Sequence, residues 1–439
     1  MKISRPWDFV LILVAVLALI GAIYLCTSEQ ASQSRITNAS YEIPHALIPP
    51  GDERNPDFEM DRTDANNRFA LDFYRTLRSS SMYSGSNIIF SPYSISSAFA
   101  ITCEGARGKT KDEIRSVFAF PKNDTARRLG YAGVCDELNN ANASYTLRTA
   151  TALWAEKTHP FLPDYVRTAG QYYGANTTNL DLSGQPEESA AIINRWIEYQ
   201  TENRIKNLVS TSDVSPAILV ITNAIYFKGD WGTPFTKDAT TPEVFQVSSG
   251  KSVTTPMMHR DSLDELLPYG ETDTFQVLEL PYQHGAGKKL SMIIILPKGE
   301  NINVVEDHLD LQQIATIRGT LVPHRVIVSL PKFSLGTTYN LAGPLRDMGM
   351  PTAFGSGADF SGMDGTGGSY IGTAVHKVFV EVNEEGTVAA AATAVAVWEV
   401  STRQTPVTFR AGHPFIFLIQ DTESGNILFM GRVVDPSAM

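Results

Sequence analysis

Residues 386–398, GTVAAAATAVAVW, carry neither a charge nor a proline, and most are alanine, valine or threonine. They follow directly on HKVFVEVNEE, in which Val378, Val380 and Val382 alternate as in a strand. Such a run constrains the fold in two directions. Alanine-rich segments are strong helix formers. A chain that keeps an N–H at every position can also enter a β-ladder, where proline cannot. No proline lies between Pro351 and Pro406, although the chain has 24. Taken by twos, Thr387, Ala389, Ala391, Thr393, Val395 and Val397 form one small or apolar face of a strand. An unpaired charge buried on that face would be severely destabilising, and none is present. The residues alone leave both a helix end and a strand open.

The rest of the 439-residue chain reads as a folded globular protein, with 43% hydrophobic and 19% charged residues. A net charge of −11 and the lack of any Lys/Arg block argue against nucleic acid as a partner. At the N-terminus, Lys2 and Arg5 precede residues 9–26, a stretch without formal charge at the lower edge of what spans a bilayer. Residues 1–26 are therefore read as a signal peptide or signal anchor, the anchor preferred because bulky residues precede Cys26. This implies a chain that is secreted or held at the cell surface, with its N-terminus in the cytoplasm. Residues 27–58 are rich in Ser, Asn, Pro and Gly and read as a flexible linker. Residues 59–439 show no further break and read as one domain. Cys103 and Cys135 are too few for a disulfide framework; one bridge and two buried thiols both remain open. Sequons begin at Asn38, Asn123, Asn142 and Asn176.

Helical spacing appears in DANNRFALDFYRTLRSS, with Asp64 as cap, in SPYSISSAFAITCEGARG, opened by Ser91 and Pro92, and in ESAAIINRWIEYQTENRIKNLV. Strand patterns follow in AILVITNAIYFKG, KLSMIIILP, RVIVSLPKF, HKVFVEVN, PFIFLIQ and NILFMGRVV. Helices first and strands later, without alternation, indicate an α+β fold. No HExxH, CxxC pair, GxSxG or P-loop occurs, so no catalytic site is marked. The glycine-rich residues 355–372 read as a flexible surface loop. Of the eight histidines only His376, at the head of its strand, stands out, as a structural hydrogen-bonding residue.

Several motifs occur in a fixed order: NIIFSPYSISSAFAITCEGARGKTKDEI, LVITNAIYFKGDWGTPF, VSLPKFSLGTTYNLAGPLRDMGMPTAF, VHKVFVEVNEEGTVAAAATA and FRAGHPFIFLIQDTESGNILFMGRVVDP. Over roughly residues 64–436 the chain resembles the serpin family of protease inhibitors. The resemblance implies a large central β-sheet, further sheets, about nine helices and an exposed reactive-centre loop. It implies that a target protease cleaves and acylates the loop, which then inserts into the central sheet as a strand and carries the trapped enzyme with it. Serine proteases are the implied targets, with cysteine proteases a second class; no enzyme activity, no cofactor and no metal are implied, and a monomer is.

By the same resemblance, Glu384, Glu385, Gly386, Thr387, Ala389 and Ala391 form the hinge of the loop. Ser91, Ser94, Asn223 and His376 form a polar cluster beneath the sheet (the shutter), and Trp231 with Glu384 marks the point where the loop enters (the breach). Val388 departs from the family, which often has glutamate there. The usual hinge spacing places the scissile bond at Val400–Ser401, which suits elastase-like proteases. Counting back from HPFIF places it at Arg403–Gln404, which suits trypsin-like ones; the hinge count is preferred. A member whose loop is cut without trapping is the alternative within the family, and a surface hydrolase with an unmarked site the alternative outside it. A regulator of heparin type has only Arg127 and Arg128 to recommend it.

Overall fold

A computed structural model describes residues 56–138, 145–215, 217–248, 250–261, 265–285, 288–385 and 405–438. All fall in one compact unit, Pro50–Met439. Among them are eleven α-helical segments, three of only four residues, and three sheets of seven, four and five strands. The expected α+β architecture is present.

The five-stranded sheet positions everything that follows. Its order is Phe333–Asn340, Ile371–Val382, Leu219–Gly229, Tyr145–Glu156 and Asn176–Leu180. Leu219–Gly229 is apolar nearly throughout because both of its faces are covered. Leu219, Ile221, Ile225 and Phe227 join the main core, while Val220 and Ala224 belong to a second core on the other face. That second core is supplied by the helix Pro186–Gln200 and the chain after it, through Ile193, Ile197, Ile205, Leu208 and Val209. The main core is closed by the helix Pro92–Gly105, almost wholly buried, which starts as expected at Ser91 and Pro92.

Some expectations need correction. Asp64 caps nothing: the helix begins at Pro56 and runs to Ser79, so Asp64 lies within it. Helix-permissive residues upstream allow the extra turns that the apolar spacing did not mark. Residues 355–372 are not a flexible loop. Phe360, Met363 and Asp364 are buried, the Arg107 N–H donates to the Asp359 carbonyl, and a side chain on Gly105 would strike Met363 Cγ at 2.0 Å. Gly362 permits the close approach there, since a Cβ on it would meet the Arg107 guanidinium at 2.3 Å. Cys103 is a free, buried thiol, and burial pushes its pKa up. Among the described residues no helix is long and apolar enough to cross a membrane; residues 9–26 lie outside them.

Candidate functional site

Within the five-stranded sheet, Ile371–Val382 and Leu219–Gly229 run parallel and pair from Ile371↔Leu219 to Val380↔Phe227. These two strands are far apart in sequence and form a seam through the middle of the sheet. A chain that turns back after Val382 must run antiparallel to Ile371–Val382, and therefore antiparallel to both strands of the seam. Inserting it would replace one parallel ladder by two antiparallel ones, the stronger pairing per residue. Residues 386–404, which include Gly386, Thr387, Ala389, Ala391, Val400, Ser401, Arg403 and Gln404, lie outside the described residues.

The start of the hinge is described and is clamped. The Glu384 carboxylate accepts from Lys332 Nζ at 2.9 Å, and its carbonyl accepts from the Phe235 N–H at 2.9 Å. Burial pushes the Glu384 carboxyl up, but the Lys332 ammonium and hydrogen bonds outweigh this and hold it below the usual carboxylate range. Glu385 pairs with Lys237, and its N–H donates to Asn383 Oδ1 at 3.2 Å. Trp231 Nε1 donates to the Asn383 carbonyl at 2.9 Å while its ring stacks on Tyr282, centroids 4.6 Å apart. Gly229 makes room for that stack, since a Cβ there would meet the Tyr282 ring at 2.6 Å. Trp231 and Glu384 both lie at the end of the seam where the chain leaves Val382, Trp231 bonding the residue before Glu384.

Halfway along the seam lies the polar cluster. His376 and Asn223 face each other across it in register, and His376 Nδ1 lies 2.6 Å from Asn223 Oδ1. The Ser91 N–H donates to His376 Nε2 at 3.2 Å, so Nε2 is the bare nitrogen and Nδ1 carries the proton. Ser94 Oγ donates to Asn223 Oδ1 at 2.9 Å; Asn223 Nδ2 donates to the Ser94 carbonyl at 3.1 Å and to Thr151 Oγ1 at 2.8 Å. Ser91 Oγ caps its helix through the Ser94 N–H at 3.1 Å and donates to the Leu428 carbonyl at 2.7 Å. All four named residues are brought together and buried. Desolvation holds the His376 pKa down, to about 3, so the ring is neutral.

Parting the seam would break the His376–Asn223 bond, while the bonds of each partner to the helix beneath would be free to persist. In the structure the cluster bonds the two strands to each other and each of them to the helix beneath. Thr151 and Tyr339 complete the row and were not anticipated; the Ile89 N–H donates to Tyr339 Oη at 3.3 Å, and Tyr339 is the register partner of His376. A polar residue at an inward position of a strand was the available signal for both.

On the outer face, Lys377 Nζ donates to the Lys206 carbonyl at 2.8 Å and Thr373 Oγ1 to the Asp213 carbonyl at 2.6 Å. These bonds fasten the covering segment to one side of the seam. Arg127 and Arg128 offer no basic patch. Both bind Glu104, Arg127 in full burial at 2.8 Å, and they are spent on an internal ion cluster.

A family model described as serpin (serine protease inhibitor) matches residues 64–436. An uncharacterized serpin-like protein of Thermococcus kodakarensis is 41% identical over 376 residues, covering 85% of each chain. The leukocyte elastase inhibitor of Sus scrofa is 40% identical over 385 residues, covering 85% of this chain and 98% of its own. The crystal structure of uncleaved ovalbumin is similar with a TM-score of 0.76 at 26% identity, covering 85% of this chain and 100% of that one. The ordered motifs, the seam with its hinge and polar cluster, and these similarities coincide over the same residues, and the chain belongs to the serpin family.

Proposed function

We propose that the chain is a suicide-substrate inhibitor of serine proteases rather than an enzyme, and that its loop is cut at Val400–Ser401. The observation that carries this reading is the parallel seam ending at a clamped hinge. The downstream sequence is free of charge and proline over the length an inserted strand needs. Once the loop is cut, filling the seam lowers the free energy and pulls the acylated protease away from the hinge end.

Elastase-like proteases are the favoured targets. A small β-branched residue at the cut bond fits a small specificity pocket, and the Sus scrofa relative is named for leukocyte elastase. Export, with residues 1–26 as anchor or signal, follows from the N-terminal charge pattern and would place the inhibitor outside the cell.

Incubation with elastase and with trypsin, followed by denaturing gels, tests the reading. A band at the summed mass that survives denaturation supports trapping; a cleaved chain with fully active protease refutes it. The released peptide begins at Ser401 if the preferred bond is cut and at Gln404 if the trypsin-like one is.

A further inference from the structure

Four N-x-S/T acceptor patterns occur in the chain, and two fall on described residues: Asn123 with Thr125, and Asn176 with Thr178. Those at Asn38 and Asn142 lie outside the described residues. Asn123 stands immediately before the helix Asp124–Leu138 and is exposed, as is Thr125. Its Oδ1 caps the helix, accepting from the Thr125 N–H at 2.9 Å and the Ala126 N–H at 3.4 Å. Asn176 is half-buried and opens Asn176–Leu180, the edge strand of the five-stranded sheet. Its Oδ1 accepts from Thr178 Oγ1 at 3.2 Å.

In both side chains the amide oxygen is engaged and the nitrogen is not. Among the described residues neither Nδ2 donates to an acceptor, and neither is a buried atom. Asn179 and Asn223 are the contrast. Asn179 Nδ2 donates to the His159 carbonyl at 3.1 Å and Asn223 Nδ2 to Thr151 Oγ1 at 2.8 Å, so a substituent there would cost hydrogen bonds inside the fold. A group bound through Nδ2 of Asn123 or Asn176 leaves the helix cap and the Thr178 bond in place. No described strand pairs with the outer edge of Asn176–Leu180, which leaves room for a bulky substituent. That edge strand stands two strands beyond Leu219–Gly229, roughly 10 Å at about 4.8 Å per strand, so the seam stays open to filling.

We propose that Asn123 and Asn176 each carry an N-linked glycan in the exported chain. The donor is a sugar joined through its anomeric carbon to a lipid-borne phosphate. Nδ2 forms the new bond to that carbon, the bond from the carbon to the phosphate oxygen breaks, and the lipid phosphate leaves. One Nδ2 proton passes to a base of the transferase, so no oxidant or reductant is needed. The inference rests on the export reading above and is independent of whether the loop traps a protease.

The test uses the full chain made in a eukaryotic host that glycosylates exported proteins. Fractionation first shows whether the chain stands outside or inside the cell. Peptide mapping before and after an amidase that releases N-glycans then identifies each glycosylated asparagine by its conversion to aspartate. Both asparagines are expected to convert in the exported chain, and only after the amidase. Thr125→Ala, which keeps the Asn123 cap, and Thr178→Ala should each lose the mass of one glycan from the intact protein. Thr178→Ser preserves the acceptor pattern and should keep that mass. If Thr178→Ala does not fold, the wild-type map and Thr178→Ser decide. An exported chain with an unmodified asparagine at either position overturns the assignment there and leaves export standing. A chain kept inside the cell and unmodified overturns the export reading and the assignment with it.

Discussion

His376 makes the native sheet sensitive to acid, with a sign and size that follow from its burial. Its pKa is lowered from 6.5 to about 3 in the folded state, because desolvation penalises the imidazolium by more than the Asn223 hydrogen bond favours it. Unfolding returns the ring to water and its ordinary value. Between the two values the unfolded chain binds the extra proton, so this contribution is complete above about pH 6.5 and is lost as the pH falls towards about 3. At about pH 5 the loss is about 2 kcal/mol, and near pH 3 it is on the order of 4–5 kcal/mol. Urea unfolding of wild type and His376→Gln at neutral pH and at about pH 5 isolates the effect. Glutamine keeps an acceptor and a donor but does not titrate. The half-buried, downshifted His413 titrates in both proteins and cancels in the difference. His376→Gln should be less stable at neutral pH and should lose about 2 kcal/mol less on acidification. An equal pH slope in the two proteins would show that His376 is not held neutral by the seam.

Two substitutions probe the hinge and the strand it feeds. Ala391→Glu puts a charge on the face that turns inward on insertion, so it should leave intact stability within about 0.5 kcal/mol. The same change should abolish the denaturation-resistant complex, leaving a cleaved substrate; trapping at the wild-type ratio refutes the assignment of that face. Gly229→Ala drives a methyl group into the Tyr282 ring beneath Trp231. It should cost about 1–3 kcal/mol in urea unfolding and raise the amount of inhibitor consumed per protease trapped; no change in either measurement sinks this account of the breach.

Much of this was legible because local and tertiary preferences agree. The Ser91–Pro92 start of a buried helix shows in two residues, and Leu219–Gly229 shows because burial on both faces leaves it mostly apolar, broken by Thr222, Asn223 and Lys228. Tyr145–Glu156 sits beside it in the same sheet and was missed. Its Thr and Ala residues carry weak strand patterning, and only tertiary packing selects the strand. The polar cluster came from resemblance. No spacing rule brings Ser91 to His376, whose contact exists only through the fold.

The central claim is that the seam is an unfilled strand position for which cleavage supplies the strand. Thermal unfolding of the chain before and after a single cut in residues 386–404 tests it most directly. About ten inserted residues add two ladders and remove the parallel one, a net gain of about ten hydrogen bonds at about 0.5–1.5 kcal/mol each, so the cleaved form should melt more than about 10 °C higher. A cleaved form that melts at or below the temperature of the intact protein would contradict the account.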